Sequence, residues 1–484
     1  MADSNIKIGK KAFLLSAAII LLMMIVSGLL TLVMAPGRYD RVVQNGRTLV
    51  VDGSYREIAR PHYPVWRWFT SPVEILFAPG NITVIVLLIF ITAVGGSISI
   101  LEQAGIMQEL INFLVRRFAK RKYLLLALMI LFFMICTSFI GIYEGLVPLI
   151  IFIIPIAISL GWDSLTGLGM SLLPMAFGFA SSVTNPFTIA VAQKIADLPL
   201  FSGALLRIVF FVTVYIIVTL FVTRYAKKVE ANPAASLCYK EDEPLRTGIL
   251  AEQENYSGSG DIKPQNLKAL IWFVSCVGAA MAIVIITARM PGLSDLAFPV
   301  MTLLFLTGGV GGGLFAKLGG KGTALSFFRG SLNLIPGVVL VLMAYSVKHI
   351  ITEGEIMDTI LFMASEMIRK SPPMAAAFLI YATTLVMNFF IGSASAKAFL
   401  MMPLLTPLAD LVGITRQTAV LAFDFGDGFS NMVFPTNALL LIALSFTVVG
   451  YTKWMRWTWK LQLIILGVTS AFLAFAVVTN FGPF

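Results

Sequence analysis

The stretch that decides the fold, "TAVLAFDFGDGFSNMVFPTNALLLIALSFTVVGYT", runs from Thr418 to Thr452. At about 1.5 Å of rise per residue it is long enough to cross a bilayer. It nevertheless contains Asp424 and Asp427 near its middle, with a proline, amides and hydroxyls around them. An ionisable side chain at bilayer depth costs about 2.5–3.5 kcal/mol on insertion scales, so such side chains face a bundle interior or a water-filled cavity. The stretch therefore predicts a membrane helix that is interrupted around a polar site.

The composition is that of an integral membrane protein, because 58% of the residues are hydrophobic and only 12% are charged, whereas soluble domains have about 25% charged residues. The uncharged run from Ala12 to Met34 is longer than a signal-peptide core and has no cleavage site. Three cysteines have neither disulfide nor metal-ligand spacing. We therefore predict an all-α polytopic protein embedded in a lipid bilayer.

Lysines and arginines collect at the ends of the apolar runs, which explains the net charge of +10 without a nucleic-acid partner. By the positive-inside rule these basic ends are cytoplasmic. They predict a multi-pass protein of the bacterial cytoplasmic (inner) membrane, with the N-terminus in the cytoplasm and the C-terminus on the periplasmic or external side. The polar loop at 35–80 is then external. The basic ends lie at 7–11, 116–122, 224–228, 317–329 and 453–460.

The segment from Tyr123 to Gly161 is apolar apart from Glu144. As one helix it would be about 60 Å long, at about 1.5 Å per residue, so it must fold back. Polar, glycine-bearing backbone at membrane depth is tolerated only against protein or a water-filled cavity. This favours a re-entrant hairpin with its tip at 137–145, while two short spans remain the alternative.

The same pattern recurs roughly 250 positions later along the chain, which indicates an internal repeat. "SFIG" at 138–141 corresponds to "FFIG" at 389–392, and "FGFASSVTNPFT" at 177–188 corresponds to "GDGFSNMVFPTN" at 426–437. An even number of crossings in the first copy, followed by an extra span, would invert the second copy. The sequence thus predicts an inverted repeat with two re-entrant hairpins and two broken helices.

The predicted organisation has two halves, 1–225 and 268–484, joined by a cytoplasmic linker at 226–267. The first half is predicted to contain spans at 12–34, 81–101 and 203–224, a hairpin at 123–161 and a broken helix at 164–197. The second is predicted to contain spans at 268–289, 297–316, 333–352 and 461–480, a hairpin at 372–413 and a broken helix at 415–449. Inverted repeats with broken helices are the architecture of secondary transporters, whose sites lie near the midplane between the repeats.

The residues from Ser393 to Asn437, "SASAKAFLMMPLLTPLADLVGITRQTAVLAFDFGDGFSNMVFPTN", resemble the ion transporter superfamily and, within it, the four-carbon dicarboxylate anaerobic carrier family (DcuC/YfcC type). The resemblance extends over about 84–460. It implies an elevator-type transporter, commonly a homodimer, in which hairpins and broken helices surround substrate and sodium. It also implies polar contacts at the two breaks, from Ser181, Ser182, Thr184, Asn185, Ser430, Asn431, Thr436 and Asn437.

Asp424 and Asp427 lie three residues apart, which places them on one helix face if the helix persists. In a purely structural role, each carboxylate would bond to backbone donors or to a lysine. Their functional interpretation is cation or proton coupling, because carboxylates and amides suit a hard ion such as sodium. We expect Asp427 to contribute more than Asp424, with Asn185 and Asn431 assisting.

Lys397 and Glu144 lie at nearly equivalent places on the two hairpin tips. They could form an ion pair that fastens the tips, or Lys397 could bind a substrate carboxylate near the positive ends of the half-helices. Three carboxylates, Glu144, Asp424 and Asp427, against Lys397 leave two negative charges, which favours a bound cation. The other predicted contacts at the tips are Thr137, Ser138, Gly141, Gly392, Ser393 and Ser395.

The predicted function is secondary active transport of a small carboxylate-bearing metabolite, a four-carbon dicarboxylate or an amino acid, coupled to sodium or protons. A basic amino acid exchanger of the arginine/ornithine type is the alternative. A membrane enzyme is disfavoured because no Ser/His, Cys/His or metal cluster is visible in the sequence. A passive channel is disfavoured by the paired hairpins. No cofactor is expected apart from a sodium ion near Asp424 and Asp427.

Overall fold

A computed structural model of the chain describes residues 10–44, 47–78, 82–248, 263–288 and 297–482. Among these residues, nine helices are long and apolar enough to cross a membrane. Shorter apolar helices accompany them at Glu144–Ser159, Ser164–Ala180 and Pro299–Phe315. The structure thus confirms the predicted all-α polytopic membrane protein.

The helices alternate with short connections, and the only sheets in the described part of the chain lie between α1 and α2. The first half contains α1 (Lys10–Val33), α2 (Trp66–Glu74), α3 (Ile82–Gln103), α4 (Ile106–Phe118), α5 (Lys122–Ile135), α6 (Ile150–Ser159), α7 (Ser164–Ala180), α8 (Ile189–Ile195) and α9 (Ala204–Ala231). The second contains α10 (Pro264–Ala288), α11 (Ala297–Phe315), α12 (Gly319–Asn333), α13 (Ile335–Glu353), α14 (Met357–Arg369), α15 (Pro373–Phe390), α16 (Ala394–Val412), α17 (Arg416–Phe429), α18 (Ala438–Ser445) and α19 (Tyr451–Val478). The sheets are antiparallel pairs of β1 (Gly37–Arg38) with β4 (Arg56–Glu57) and of β2 (Arg41–Gln44) with β3 (Arg47–Val50).

The two halves contain the same succession of elements. The helices α4 and α14 are each 13 residues long. Each leads into a hairpin, α5–α6 (the first hairpin) or α15–α16 (the second hairpin), and each hairpin is followed by an interrupted helix, α7–α8 or α17–α18 (the first and second broken helices). Each series ends in a helix of 28 residues, α9 or α19. The helix α9 ends after the predicted span 203–224, and α19 begins before the predicted span 461–480.

The helix α12 was not among the predicted segments. Its sequence, "GGKGTALSFFRGSLN", is rich in glycine and polar residues, and packing rather than hydropathy holds it in place. It runs antiparallel to α3, because Ser331 donates a hydrogen bond to the Thr92 carbonyl at 2.9 Å while Thr323 lies nearer Ile100, across Gly313. A Cβ on Gly330 would lie 2.4 Å from the Gly95 carbonyl oxygen. Small residues thus let the two helices approach closely.

The loop between α1 and α2 is tied to α14. The Arg41 guanidinium pairs with the buried Asp358 carboxylate at 2.8 Å, and the Tyr39 amide donates to the same carboxylate at 2.9 Å. The Tyr55 ring stacks on Phe362 with 4.0 Å between ring centroids. One arginine of this loop, Arg41, thus has its acidic partner on α14.

The beginning of the predicted linker is bound to the broken-helix region. The buried Asp242 carboxylate accepts hydrogen bonds from the Ser164 amide at 2.9 Å and the Ser164 hydroxyl at 2.5 Å. At the same helix end, the Asp163 carboxylate accepts a hydrogen bond from Ser236 at 2.6 Å. On α19, Lys453 pairs with Glu241 at 2.5 Å. Residues 233–242, here called the docked segment, therefore join the N-terminus of α7 to the start of α19.

Docking of this segment should weaken as pH rises. Burial raises the pKa of Asp242 to about 6 from an ordinary value of 3.8, so the docked state favours the protonated acid. The stabilisation is therefore complete below the ordinary pKa and is lost as pH rises through about 6. We expect thiol labelling of the buried Cys238 to accelerate relative to an Asp242→Asn variant between about pH 5 and about pH 7.

The measurement uses chains in which Cys136 and Cys276, the other two free cysteines of the described residues, are alanine. Because the thiol is the same in both proteins, its own ionisation cancels in the ratio of labelling rates. A ratio that does not change with pH would contradict the assignment to Asp242.

Candidate functional site

The tip of the first hairpin is fastened to the break between α7 and α8. The Ser138 hydroxyl donates to the Ser181 carbonyl at 2.6 Å, and the Val183 amide donates to the Ser138 carbonyl at 3.0 Å. The Asn185 side-chain amide donates to the Thr137 carbonyl at 3.1 Å. Gly141 is required here, because its φ is +80° and a Cβ would lie 2.5 Å from the Asn185 side-chain oxygen. The tip and the break thus form one unit.

Most of the polar side chains predicted to bind substrate at the first break are occupied by backbone partners. Ser181, Ser182 and Thr184 donate to the carbonyls of Phe177, Phe179 and Phe139 at 2.5, 2.5 and 2.9 Å, respectively. The Asn185 side-chain oxygen accepts a hydrogen bond from the Phe187 amide at 2.8 Å. These residues shape the break rather than present free groups to a ligand.

The second hairpin meets its broken helix through a buried charged cluster. The Lys397 ammonium donates to an Asp427 carboxylate oxygen at 2.5 Å and to the Asn388 side-chain oxygen, and both charged side chains are at most 1% exposed. The Asn388 amide in turn donates to the Ser430 hydroxyl at 2.6 Å and to the Asn431 side-chain oxygen at 3.1 Å. Asn388 was not predicted from the sequence. It connects the hairpin, the break and the ion pair.

Three other predicted residues cap helices or cross-link the two halves. The Asn437 side-chain oxygen accepts from the Leu439 and Leu440 amides at the start of α18, and Ser393 accepts from the Ala396 amide at the start of α16. The Ser395 hydroxyl donates to the Phe187 carbonyl at 2.8 Å, which joins the second hairpin to the first break. Two other candidates have no such contact: the buried Thr436 hydroxyl has no hydrogen-bond partner among the described residues, and a Cβ on Gly392 would meet nothing within 4 Å.

The two broken helices touch at a glycine. A Cβ on Gly428 would lie 2.1 Å from the Ala180 Cα, and one on Gly426 would lie 2.7 Å from the Tyr381 carbonyl oxygen of the second hairpin. In the first half, a Cβ on Gly178 would lie 2.2 Å from the Thr137 hydroxyl oxygen. These close approaches bring both tips and both breaks together, and Asp424 and Asp427 lie buried among them.

Asp424 lies beside the first break without a hydrogen bond. Its side chain is 1% exposed, and within the described ranges neither carboxylate oxygen has a hydrogen-bond partner. Ser182 approaches it without reaching hydrogen-bond geometry, and Arg207 and Asp427 act on it electrostatically. The Ser182 hydroxyl donates elsewhere, to Phe179. Asp424 is therefore the carboxylate of the site that is open to a new partner.

Arg207 is a site residue that the sequence analysis missed. It is 1% exposed and donates to the carbonyls of Ser202, Val183 and Phe201 at 2.8, 3.2 and 3.3 Å. Its Nε has no hydrogen-bond partner in the described part of the chain. The sequence contains an indication of this role, because Arg207 is an ionisable residue inside the predicted span 203–224 and such residues mark functional positions.

The structure corrects the predicted pairing of Lys397 with Glu144. Lys397 pairs with Asp427 instead. A bond to a lysine is the purely structural role that the sequence allows for that aspartate. Glu144 is partly exposed beside the first tip, with no ion pair to any described residue. With Arg207 added, the charged residues that interact here are two carboxylates (Asp424, Asp427) and two cations (Lys397, Arg207), so the predicted excess of two negative charges is not found among them.

A multi-pass helical protein in which two hairpin tips and two helix breaks gather buried charges has the features of a membrane transporter. The chain belongs to the C4-dicarboxylate anaerobic carrier family, DcuC, whose family model matches residues 13–478. This confirms the family resemblance drawn from Ser393–Asn437.

Two relatives match most of the chain. One, from Escherichia coli (strain K12) and named "Putative basic amino acid antiporter YfcC", is 31% identical over 385 residues, which cover 77% of this chain and 74% of the relative. An uncharacterized protein of Haemophilus influenzae (strain ATCC 51907 / DSM 11121 / KW20 / Rd) is 25% identical over 435 residues, which cover 89% of this chain and 82% of that protein.

Two solved structures are also similar to the chain. The YdaH transporter of Alcanivorax borkumensis matches with a TM-score of 0.41 and 16% identity, over 98% of this chain and 100% of that one. MtrF of Neisseria gonorrhoeae matches with a TM-score of 0.42 and 17% identity, over 96% of this chain and 95% of that one.

Proposed function

We propose that the chain is a secondary active transporter of the bacterial inner membrane whose substrate is a basic amino acid. The observation that carries this proposal is the buried pair of Lys397 with Asp427. Removing one partner of a buried ion pair costs about 3–5 kcal/mol, because the other charge is left uncompensated. A substrate with both an ammonium and a carboxylate can open the pair without that cost, since it supplies a new partner for each side chain.

The geometry around Lys397 suits a carboxylate. Lys397 lies in the first turn of α16, where the helix dipole is positive. Gly392 leaves open space before this helix, and the Thr436 hydroxyl is free to donate. The substrate ammonium would take the place of Lys397 at Asp427. A second positive charge on the substrate would be matched by the carboxylate of Asp424, which is the acidic neighbour of Asp427 and has no hydrogen-bond partner among the described residues.

A four-carbon dicarboxylate is the second candidate, and the description of the family favours it. Such a substrate gives Lys397 a partner but leaves Asp427 without one. It would therefore need additional cations, sodium or protons, at Asp427 and Asp424, with Asn185 and Asn431 as the predicted amide ligands. Their side-chain oxygens already accept hydrogen bonds from protein groups. Binding a cation there would compete with these hydrogen bonds, which disfavours the dicarboxylate.

Uptake by proteoliposomes tests the proposal. Purified protein should exchange labelled L-arginine and L-ornithine with the same amino acids on the other side, and it should accumulate them when a proton or sodium gradient is imposed. Exchange of succinate or fumarate alone would overturn the amino acid proposal in favour of the dicarboxylate. A flux that is neither saturable nor dependent on substrate on the opposite side would indicate a channel instead.

The proposed cycle is of the elevator type, in which the hairpins and broken helices move against the other helices, and these form the scaffold of a homodimer. The matched series of elements in the two halves supports the repeat on which this cycle depends. Ser99 of α3 and Ile151 of α6 line one small cavity between the two groups. Cysteines at these two positions, joined by a short bifunctional reagent in a chain without other cysteines, should therefore stop exchange. Unchanged exchange after complete cross-linking would contradict the elevator motion, and the untreated protein is the control.

A further inference from the structure

We propose, building on the basic amino acid function above, that Asp424 carries a proton before the substrate binds, and that substrate binding releases this proton to water and pairs the ionised Asp424 with Arg207. The chain would then exchange a basic amino acid for a proton. This proposal assigns separate tasks to two aspartates three positions apart, substrate binding to Asp427 and proton binding to Asp424.

Asp424 lies in surroundings that favour its protonated form. Its two carboxylate oxygens are buried and form no hydrogen bond among the described residues, although the Ser182 amide and hydroxyl lie nearby. An ionised carboxylate in such a place carries a large desolvation cost, whereas the neutral acid does not. The conformation described here therefore suits the protonated form. Asp427 differs, because Lys397 already compensates its charge at 2.5 Å.

One cation near Asp424, Arg207, can accept a new partner. Arg207 acts electrostatically on Asp424 without forming an ion pair, and its Nε is unpartnered in the residues that the structure describes. A guanidinium can bind a carboxylate through two parallel hydrogen bonds. Its present partners include the Val183 carbonyl, and the Val183 amide binds the Ser138 carbonyl of the first tip. Movement of Arg207 toward an ionised Asp424 would thus loosen the first break.

Apart from Ser182 at the first break, the described elements packed against α17 offer no other partner for Asp424. On α16, Lys397 is committed to Asp427, and on α15 the Tyr381 hydroxyl bonds Thr469 of α19. On α8, Lys194 is exposed, and α7 has no titratable side chain. A sodium ion would lie beside the positive charge of Arg207, which disfavours it. The site near Asp424 therefore favours a proton over the sodium predicted from the sequence.

The charge of the site also favours release of a proton. With a proton on Asp424, the interacting group of Asp427, Lys397 and Arg207 has one excess positive charge. A basic amino acid adds a second, and loss of the proton from Asp424 compensates it. Charge interactions are strong in a medium of low dielectric constant, so binding of the cation should drive the proton off. The electron pair of the O–H bond stays on the Asp424 carboxylate, which Arg207 stabilises, and the proton passes to water on the side to which the site is open.

The affinity for L-arginine as a function of pH, measured by calorimetry on the purified protein, tests this inference. For wild type the affinity should rise about tenfold per pH unit in the acidic range, as expected for competition with one proton. The Asp424→Asn variant should bind more weakly and with no pH dependence. Retention of the wild-type pH dependence by this variant would overturn the proposal.

Two further variants cover the case in which Asp424→Asn does not bind arginine at all. The Asp424→Glu variant keeps a titratable group and should keep the pH dependence, and pH-independent binding by it would contradict the proton assignment. The Arg207→Gln variant lacks the cation that stabilises the ionised acid, so it should need a higher pH to reach the same affinity. Binding that responds to pH as in wild type would remove Arg207 from the mechanism.

The exposed Asp410, which pairs with Arg416 outside the site, provides a matched control, and Asp410→Asn should behave as wild type. Failure of the proposed function is distinguishable from failure of this inference. If wild type neither binds nor exchanges basic amino acids, the function is wrong. If it does so with a pH dependence that Asp424 does not control, only this inference fails.

Discussion

Replacing Lys397 by methionine should cost the protein about 3–5 kcal/mol of stability and abolish amino acid exchange. The side chain is fully buried, and its removal leaves the Asp427 carboxylate without a counter-charge and the Asn388 oxygen without its donor. Protonation of Asp427 can relieve part of this cost, so the destabilisation should be smaller at acidic pH than at neutral pH. Thermal unfolding in detergent at several pH values, together with proteoliposome exchange, measures both effects.

The double variant Lys397→Met/Asp427→Asn separates stability from function. Neutralising both partners should recover most of the lost stability, because no unpaired charge remains in the interior. Exchange should stay absent, since neither end of the substrate has a partner. Arg416→Met provides the control at an exposed pair with Asp410, where the expected loss is about 0–1 kcal/mol. A Lys397→Met protein with wild-type stability and exchange would refute the central role of this pair.

Gly428→Ala should be the next most damaging change, although it adds only one methyl group. Its Cβ would lie 2.1 Å from the Cα of Ala180 and 2.4 Å from the Ala180 nitrogen. These are backbone atoms that cannot rotate away, so the two broken helices must separate. Overpacking typically costs about 1–3 kcal/mol, and here we expect the upper end of that range with a large loss of exchange, because the separated helices hold both breaks.

Gly467→Ala in α19 is the matched control, because a Cβ there would meet nothing within 4 Å. Alanine is a better helix former than glycine by about 1 kcal/mol, so this variant should be as stable as wild type or slightly more stable. Thermal unfolding and exchange assays on both variants make the comparison. If the two substitutions had equal effects, the close contact of Gly428 with Ala180 would not be important for the site.

The class of fold could be predicted from the sequence because bilayer insertion depends on local composition. Uncharged runs long enough to span a membrane are visible one by one, and the structure has nine such helices in its described residues. The helix α12 was missed for the same reason. Its glycines and lysine lower its hydropathy, and its stability depends on close contact with α3, which is far away in the sequence.

The partners within the site were harder to predict than its members. Lys397 had two acidic candidates, Glu144 and Asp427, and only the folded geometry distinguishes them. Arg207 and Asp424 are brought together by the packing of α7, α9 and α17, which no local pattern encodes. Hydroxyls and amides at the breaks were expected to contact substrate, but several are occupied by backbone groups, since unpaired backbone in a membrane interior must be satisfied by neighbouring side chains.

The central claim is that a substrate must carry both charges to open the pair of Lys397 and Asp427. Calorimetric titration of the purified protein with L-arginine and two analogues tests it most directly. The analogues are agmatine, which lacks the carboxylate, and 5-guanidinopentanoate, which lacks the α-ammonium. The account predicts that L-arginine binds and that each analogue binds at least about tenfold more weakly, which corresponds to about 1.4 kcal/mol. Equal binding of either analogue, or binding of succinate in place of L-arginine, would contradict it.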